Sequence, residues 1–436
     1  MNDATQTIVA QMMAAPRCSA SKVLFVNRYF YPDQSATSQL LTDLACALSE
    51  ARFEVQVICS RQCYDDPSAQ LRAKESIGSI KVHRVWTTRF GRNRLLGRAL
   101  DYATFYCASS LAMLRVLRKG DTVVAETDPP LMSVVAMIAA RLKGARLINW
   151  LQDIFPEVAT SLGANPLPPP LDALLRRWRN ASLRFAQINI VLGERMHGYV
   201  RSLGVPAQRI QVIENWAERD PALPTPVGGS ELRSRLGLDD KFVVGYSGNL
   251  GRAHEFQTLL GAAECLRADP DIVFLMIGGG AGMAQLADAA LARDLRNFRF
   301  LPYQPRDALS DALAASDVHW VSLLPALEGF IVPSKFYGIL AAARPVVFIG
   351  DLNGELAREI NSCGCGATVA VADVTGLTRL LGVWKTDLLG RDNMGRLGYQ
   401  RYREHYCAQR AFAQWIEVLK PPSRAAGALS PSPLRQ

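Results

Sequence analysis

Short β-branched segments alternate with amphipathic helical segments along almost the whole chain, and this alternation limits the possible folds. The clearest helix pattern covers Thr37–Arg52. Its apolar stripe at helical spacing comprises Leu40, Leu41, Leu44, Ala45 and Leu48. Strand–helix–strand alternation is typical of parallel sheets with right-handed crossovers. The sequence therefore predicts an α/β chain with two Rossmann-like, doubly wound domains that face each other across a cleft.

The predicted strands fall into two groups. The first group is 23–27, 54–59, 81–86, 122–126, 146–151, 187–192 and 210–214, and the second is 242–246, 272–277, 298–301, 318–323, 346–349 and 368–371. Three prolines and two glycines in 217–229 indicate a linker. We therefore expect domains at 22–216 and 231–393, a linker at 217–230, and disordered tails at 1–21 and 421–436. Helices at 394–420 are expected to pack back toward the first domain.

Composition excludes several classes of protein. An apolar fraction of 49% and a charged fraction of 20% exclude disordered, collagen-like and disulfide-scaffold chains. No apolar run approaches the roughly 20 residues that span a bilayer, and no basic segment precedes the first apolar residues, so we expect a cytoplasmic protein. The nine cysteines contain no CxxC pair and the five histidines are isolated, so we expect reduced, structural cysteines and no metal site.

Ligands of open α/β sheets bind at the carboxyl ends of the strands, so the loops that follow strands are the candidate sites. Gly248, Asn249 and Arg252 follow one strand and suit an anion, although an ordinary turn with a solvated arginine has the same pattern. Gly279 and Gly280 follow the next strand. Met283 interrupts the dinucleotide pattern there, so a nicotinamide site is disfavoured and approach of a phosphate or sugar to the backbone is preferred.

The segment from Glu328 to Lys335 is the strongest constellation in the chain. Ser334 and Lys335 stand where a helix is predicted to begin, and a helix N-terminus with a lysine suits a diphosphate. The Glu328 carboxylate can accept hydrogen bonds from sugar hydroxyls. A capped helix with two exposed charges is the alternative.

In the first domain, Ser35, Ala36 and Thr37 form a small-residue loop before a helix, which is another candidate anion site. Asp128 is either a helix cap or a functional carboxylate. Asp153, which is followed by an aromatic residue and a proline, is the preferred working carboxylate of this domain. The Asp-x-Asp segment 269–271 precedes a strand and is predicted to be a turn, not a metal site.

The formal net charge of +9 is concentrated in two clusters of the first domain. Arg84, Arg89, Arg92, Arg94 and Arg98 accompany leucines at 95, 96 and 100, and the second cluster is Arg176, Arg177, Arg179 and Arg184 beside Trp178. Cations next to apolar side chains predict a peripheral contact with an anionic membrane, with solvated helix faces as the alternative. Nucleic acid is not an expected partner, because no known nucleic-acid motif is present.

Several segments together resemble a family. SGNLGR, the triple glycine and EGFIVPSKFYGILAAARPV are similar to the GT-B glycosyltransferases of retaining family 4. NRYFYPDQSATSQLLTDLA, SRQCYDDP, VHRVWTTRFGRNRLLGRALDY and QDIFPEVA resemble the bacterial capsule, O-antigen and colanic-acid transferases within it. The resemblance covers residues 22–419 and implies an acceptor-binding first domain and a nucleotide-sugar-binding second domain.

The resemblance implies sugar transfer from a nucleotide-diphosphate donor such as a UDP-sugar, with retention and without a metal or cofactor. The sugar would be a hexose or an N-acetylhexosamine, and the acceptor a lipid-linked or other saccharide of a surface polysaccharide. Gly248, Asn249, Arg252 and Lys335 match the diphosphate-binding residues, and Glu328 matches the first glutamate of the Glu-x7-Glu motif. Asp153 is the candidate base, and a phosphate oxygen of the leaving group is the alternative.

The sequence departs from the family pattern at three places. The second glutamate of the Glu-x7-Glu motif is absent, because Phe336 or Gly338 stands at its position, depending on the alignment. Glu355 is a candidate substitute. Ser35-Ala36 replaces a Gly-Gly pair, and Gln152 precedes Asp153 where the family has histidine. An epimerase or phosphorylase of the same fold, or a catalytically inactive sugar-nucleotide-binding or assembly subunit, remain alternatives.

Overall fold

The computed structural model of the 436-residue chain describes residues 22–64, 66, 68–91, 95–164, 167–217 and 224–420. Two parallel-sheet α/β domains form the fold, which confirms the predicted class. The predicted tails at 1–21 and 421–436, and residues 218–223 of the predicted linker, lie outside the described residues. Within the described ranges, no helix combines the length and apolarity that a bilayer-crossing segment needs.

The first sheet has eight strands in the order β3-β4-β2-β1-β5-β6-β7-β8. They are β1 Lys22–Val26, β2 Glu54–Ser60, β3 Lys74–Ile77, β4 Ile80–Val85, β5 Thr122–Glu126, β6 Arg146–Trp150, β7 Ile188–Val191 and β8 Ile210–Val212. β3 is an exposed edge strand that runs antiparallel to β4. The sequence did not predict β3, because its segment KESI is polar and shows no buried apolar face.

The helices of this half are α1 Ala36–Glu50, α2 Leu95–Val116, α3 Met132–Lys143, α4 Glu157–Ser161, α5 Pro169–Phe185 and α6 Glu194–Ser202. The predicted apolar stripe of α1 is buried along its whole length. Burial of that stripe against the sheet is what fixes the position of the loop that precedes α1.

The second sheet has six parallel strands in the order β11-β10-β9-β12-β13-β14. They are β9 Phe242–Asn249, β10 Ile272–Gly279, β11 Phe298–Leu301, β12 Val318–Ser322, β13 Val346–Gly350 and β14 Gly366–Ala370. This is the doubly wound order of a Rossmann sheet, whose direction reverses between β9 and β12. The loops that follow these two strands therefore lie where such sheets bind ligands.

The remaining helices are α7 Glu231–Arg235, α8 Gln257–Cys265, α9 Ala281–Ala292, α10 Leu309–Ala314, α11 Lys335–Ala341, α12 Glu355–Cys363, α13 Val374–Thr386, α14 Leu388–Arg401 and α15 Ala408–Leu419. A π-helical turn, Tyr402–Tyr406, separates α14 from α15. The predicted helical stretch 394–419 is thus two helices with a break between them.

The chain divides into two compact units. The first comprises the described residues up to Val124, Ile138–Leu147 and those from Phe412 onward, and the second comprises Ala125–Met137 and Ile148–Ala411. Within the first unit, the Arg146 guanidinium donates to the carbonyls of Val418 and Lys420, which follow from α15. The domain limits expected from the sequence, 22–216 and 231–393, stay a prediction.

Candidate functional site

The loops after β9 and β12 meet at the point where the second sheet reverses its strand order. The backbone N–H of Leu324 donates to the carbonyl of Ala253 at 2.9 Å and joins the two loops. The predicted donor residues Gly248, Asn249, Arg252 and Lys335 all stand on these loops or at their ends.

The ammonium group of Lys335 lies against the loop after β9. A Cβ atom on Gly248 would lie 2.8 Å from Lys335 Cε, and Gly248 has a φ of 125°, so only glycine fits there. Lys335 Nζ is 5.2 Å from the centre of the Tyr246 ring. No carboxylate pairs with Lys335 in the part of the chain that the structure describes, and burial lowers its pKa to about 8. The site thus holds a desolvated cation that an anionic ligand would stabilise.

His254 completes the surroundings of this lysine. Its Nδ1 lies 2.7 Å from the Ser322 carbonyl, and because a carbonyl only accepts, Nδ1 carries the proton. Nε2 is then an acceptor, 3.4 Å from Lys335 Nζ. Burial, followed by the charge of Lys335, lowers the pKa of His254 to about 3, so the ring is neutral. Sequence reasoning missed His254 because an isolated histidine carries no motif.

The two glycine loops pack backbone against backbone. A Cβ on Gly280, whose φ is 106°, would lie 2.1 Å from Asn249 Oδ1. The N–H of Leu250 donates to the Gly279 carbonyl at 2.8 Å. Gly279 and Gly280 therefore allow the two loops to approach each other, which is a structural reason for glycine at these positions. Arg252 is exposed, and Ser334 is the half-buried residue before α11.

The carboxylates of Glu328 and Glu355 each bind the beginning of a helix. Glu328 Oε2 accepts from the N–H of Glu355 at 3.1 Å. Glu355 Oε1 and Oε2 accept from the N–H groups of Glu194 and Arg195 at 3.1 and 2.7 Å. Burial raises the pKa of Glu328 above its ordinary value. The predicted role of Glu355 at the ribose stays a prediction, and both of its carboxylate oxygens already have backbone partners.

Asp153 lies beside the loop that carries Glu328. It forms an antiparallel bridge with Ile331, and the N–H of Ile154 donates to the Phe330 carbonyl at 3.0 Å. Burial raises the pKa of Asp153 to about 6; a hydrogen bond from Thr127 opposes this shift, and the charge of Asp128 adds to it. A carboxyl group with this pKa can exchange a proton near neutral pH.

Glu126, at the end of β5, is a second buried acid that sequence reasoning missed. It is 1% exposed, and neither carboxyl oxygen has a hydrogen-bond partner among the described residues. Burial, followed by the charge of Asp128, raises the pKa of Glu126 well above its ordinary value. Asp128 is half-buried and acts on the pKa values of both Glu126 and Asp153.

Gln152 occupies the position where the family has histidine, and its amide pairs with the amide of Asn215. Gln152 Nε2 donates to Asn215 Oδ1 at 3.2 Å, and Asn215 Nδ2 donates back to Gln152 Oε1 at 2.8 Å. This reciprocal pair joins the end of β6 to the segment after β8. An amide does not titrate, so of the two neighbours Gln152 and Asp153 only Asp153 can exchange a proton.

In the first unit, Asp33 organises the loop of Ser35, Ala36 and Thr37. Asp33 is buried, and Oδ1 accepts from the Ser35 N–H at 2.9 Å and from the Ser35 hydroxyl. Oδ2 accepts from the backbone N–H of Tyr64. The Ser35 side chain is thus committed to Asp33 and does not cap α1.

The Asp-x-Asp segment is a turn, as predicted, since Asp269 and Asp271 precede β10 at its amino end. Lys385 lies 2.8 Å from Asp269, and Lys241 lies 3.1 Å from Asp271. Among the described residues, no three His, Cys, Asp or Glu side chains lie together as metal ligands.

The two basic clusters are only partly surface features. Arg84 is buried and pairs with Glu75, while Arg179 is buried and donates to Glu157 at 2.6 and 3.1 Å. The prediction that these two arginines face a membrane was wrong, because both guanidinium groups are buried and paired with carboxylates, Glu75 on the exposed strand β3 and the buried Glu157. Arg177 and Arg184 of the second cluster are exposed, and residues 92–94 lie outside the described ranges.

Two family descriptions match most of the chain. Residues 36–216 match the glycosyl transferase 4-like domain, and residues 230–389 match the glycosyl transferases group 1 family. The glycosyltransferase WbjE of Pseudomonas aeruginosa is 26% identical over 332 residues, which is 76% of this chain and 83% of WbjE. The colanic acid biosynthesis glycosyl transferase WcaI of Escherichia coli K12 is 27% identical over 353 residues, which is 77% of this chain and 85% of WcaI.

Solved glycosyltransferases share the fold. Sucrose-phosphate synthase from Thermosynechococcus elongatus superimposes with a TM-score of 0.73 at 15% identity, over 91% of this chain and 98% of that one. Anabaena HepE, solved with UDP and glucose, has a TM-score of 0.68 at 18% identity, over 92% and 99% of the two chains. WaaG, a glycosyltransferase involved in lipopolysaccharide biosynthesis, has a TM-score of 0.65 at 14% identity, over 92% and 100%.

Proposed function

We propose that this chain, which belongs to the GT-B glycosyltransferases, moves a sugar from a nucleotide-diphosphate donor to a saccharide acceptor. The observation that carries the proposal is the desolvated Lys335 ammonium, which lies against Gly248 without a carboxylate partner among the described residues. A half-buried cation without a carboxylate partner is stabilised by an anion, and a diphosphate supplies one. HepE has been solved with UDP, which supports a UDP-sugar as the donor here.

The proposed chemistry uses organic cations in place of a metal. Breaking the bond between the sugar and the phosphate develops negative charge on the leaving diphosphate. Lys335 and Arg252 would stabilise this charge, and their effect would grow toward the transition state. Transfer is proposed to proceed with retention and without a cofactor. The acceptor proton goes either to Asp153, whose pKa of about 6 suits proton exchange, or to a phosphate oxygen of the leaving group.

The acceptor is proposed to be a lipid-linked saccharide of surface polysaccharide assembly. The names of WcaI and WaaG place those proteins in colanic acid and lipopolysaccharide biosynthesis, which supports this class of acceptor. The sugar would be a hexose or an N-acetylhexosamine.

Helix α5 supports a peripheral contact with an anionic membrane. Its outer face carries four exposed apolar side chains at helical spacing: Leu171, Leu174, Trp178 and Phe185. Arg177 and Arg184 are exposed beside this face. The inner face is anchored, because Glu157 accepts from Arg176, Arg179 and the Tyr199 hydroxyl. An amphipathic helix with arginines beside Leu and Trp binds at the interface of anionic lipids.

The test combines titration calorimetry with a hydrolysis and transfer assay on a panel of nucleotide sugars. Tight binding of one donor with slow release of its nucleotide diphosphate is the expected result. Binding of a donor without any release or transfer would favour the alternative, a catalytically inactive binding subunit. Absence of binding to every nucleotide diphosphate would contradict the proposed donor site at Lys335.

A further inference from the structure

His254 connects the two loops that meet in the donor site. It follows β9 in the chain, and its Nδ1 donates to the carbonyl of Ser322, the last residue of β12, at 2.7 Å. Its other ring nitrogen, Nε2, lies 3.4 Å from the ammonium nitrogen of Lys335. Since Nδ1 carries the ring proton, Nε2 has an unshared electron pair and can accept from an N–H of Lys335. One imidazole thus links the end of a strand to the cation of the site.

The Tyr246 ring is the second neighbour of the ammonium group. Its centre is 5.2 Å from Lys335 Nζ and 6.1 Å from the centre of the His254 ring, and the two rings meet at 78°. The Tyr246 hydroxyl donates to the carbonyl of Asn249, at the end of β9, at 2.8 Å. An aromatic face and an imidazole lone pair both attract a cation without carrying a negative charge. These two neighbours therefore orient the ammonium group and do not compensate its charge.

The other titratable groups beside His254 leave this balance unchanged. Burial raises the pKa of Tyr246 well above its ordinary value, so its hydroxyl adds no negative charge. Glu255 is the next residue in the chain, and its Oε1 accepts from the N–H of Thr258, in the first turn of α8, at 3.0 Å. A carboxylate at position 254 would instead pair with Lys335, and a diphosphate would then have to displace it.

We propose that His254 is the positioning residue of Lys335 for donor binding. Its neutral Nε2 accepts from the ammonium group and holds it against Gly248, which leaves the positive charge for the diphosphate. This inference rests on the proposed function, because it assigns a role at the proposed diphosphate site. A purely structural histidine is the alternative, and it would need only the hydrogen bond from Nδ1 to Ser322.

Three substitutions of His254 separate the roles of its two ring nitrogens. His254→Asn can place an N–H near the position of Nδ1, but its side chain is too short to reach Lys335. His254→Gln can place a neutral oxygen near the position of Nε2, and His254→Glu can place a negative charge there. His83→Asn is the matched control, since this histidine is half-buried on β4 and its Nε2 lies 2.9 Å from Gln56 Oε1.

The first measurement is made without a donor. Lysine labelled with ¹³C at Cε reports its own titration by NMR, and the Lys335 signal is identified by its loss in Lys335→Arg. We expect this signal to titrate near pH 8 in the parent protein, in His83→Asn and in His254→Gln. It should titrate about one pH unit lower in His254→Asn, which removes an acceptor from the charged form, and about one unit higher in His254→Glu.

The second measurement is UDP affinity by calorimetry. At pH 8, His254→Asn should weaken UDP binding about fivefold, because the charged fraction of Lys335 falls from about one half to about one tenth. At pH 6 the loss should be small, since Lys335 is then charged in both proteins. His254→Glu should weaken UDP binding at both pH values, because its carboxylate competes with the diphosphate.

The two measurements fail in different ways. A Lys335 titration that is unchanged in His254→Asn would overturn the positioning role, whatever the result for UDP. If His254→Asn does not fold, equal Lys335 titrations in His254→Gln and His254→Glu would overturn it. A parent protein that does not bind UDP, although its Lys335 titration responds to these variants, would contradict the proposed donor site and still support the contact between His254 and Lys335.

Discussion

The backbone N–H of Glu355 donates to the carboxylate of Glu328 at 3.1 Å, while the carboxylate of Glu355 itself accepts from the first two N–H groups of α6. Glu328 therefore neutralises the positive end of α12, and Glu355 that of α6. Gly193 and Gly354 make this possible, since a Cβ on either glycine would lie within 2.7 Å of the neighbouring glutamate's side chain. One oxygen of Glu328 is thus structural, and Oε1 is the atom that we propose accepts from a hydroxyl of the donor sugar.

This arrangement predicts different results for two substitutions of Glu328. Glu328→Gln keeps an oxygen for the Glu355 N–H but loses the charge, so we expect a folded protein with crippled transfer and nearly normal binding of free nucleotide diphosphate. Glu328→Ala also removes the helix cap and should lower the free energy of unfolding by about 1 kcal/mol. Calorimetry with UDP, transfer assays and denaturant unfolding measure the three quantities. Near-normal transfer by a folded Glu328→Gln variant would mean that the donor sugar lies elsewhere.

The exposed face of α5 predicts how the protein binds vesicles. A double substitution of Leu174 and Trp178 to Ser should reduce flotation with anionic liposomes at any salt concentration, because it removes apolar insertion. Arg177→Glu with Arg184→Glu should reduce binding mainly at low salt, since each cation near an anionic surface contributes about 1 kcal/mol. Leu291 on α9 is 82% exposed, so Leu291→Ser is the matched control. This variant should float with liposomes as well as the unsubstituted protein does. If the parent protein fails to float at low salt, the membrane contact is refuted.

The raised pKa of Asp153 predicts how the rate of transfer changes on the acid side of its pH profile. Its pKa of about 6 lies above the ordinary value of 3.8, so the carboxylate needed by a base forms only as pH rises through about 6. Transfer by the native protein should rise over this range, and the rise should disappear in Asp153→Asn. The same shift means that ionisation of Asp153 lowers the free energy of unfolding as pH increases from about 4 to 6. An unchanged acid limb in Asp153→Asn would leave the phosphate oxygen as the proton acceptor.

The sequence predicted the parts of the site that follow strands. The loops after β9 and β12 were predicted because a doubly wound sheet places its ligand there, and Gly248 and Lys335 indeed lie together. The contacts that secure the loops were not predictable. Glu355 reaches the start of α6 across 160 residues, and Gln152 pairs with Asn215 across 63 residues. No local pattern reports such pairs, since each depends on how distant segments pack.

Activity should not require a divalent metal. The proposed counter-charges of the diphosphate are Lys335 and Arg252, and both carboxylates of the Asp-x-Asp segment are paired with lysines at the other end of β10. Transfer should therefore persist in EDTA at close to its full rate. Complete loss of transfer in EDTA, with recovery on addition of Mg²⁺ or Mn²⁺, is the contrary outcome.

Lys335 links stability, pH and donor binding. Its pKa of about 8 lies below the ordinary 10.5, so the folded protein holds this proton less tightly than the unfolded chain. This difference lowers the free energy of unfolding by about 3 kcal/mol below pH 8. The loss declines as pH rises toward about 10.5, because the folded state then carries a neutral amine. Lys335→Met should therefore raise the free energy of unfolding near neutral pH, although it weakens binding of nucleotide diphosphate.

A diphosphate beside Lys335 favours the ammonium form, so binding of UDP above pH 8 should take up a proton. Calorimetry in two buffers with different ionisation enthalpies measures this uptake, and UDP affinity should fall as pH rises through about 8. Lys335→Ala should lower turnover by about 10²–10³-fold and weaken donor binding less, because the charge on the diphosphate grows toward the transition state. Equal losses in turnover and binding would place Lys335 in ground-state binding alone, and UDP affinity that is independent of pH would remove it from the diphosphate site.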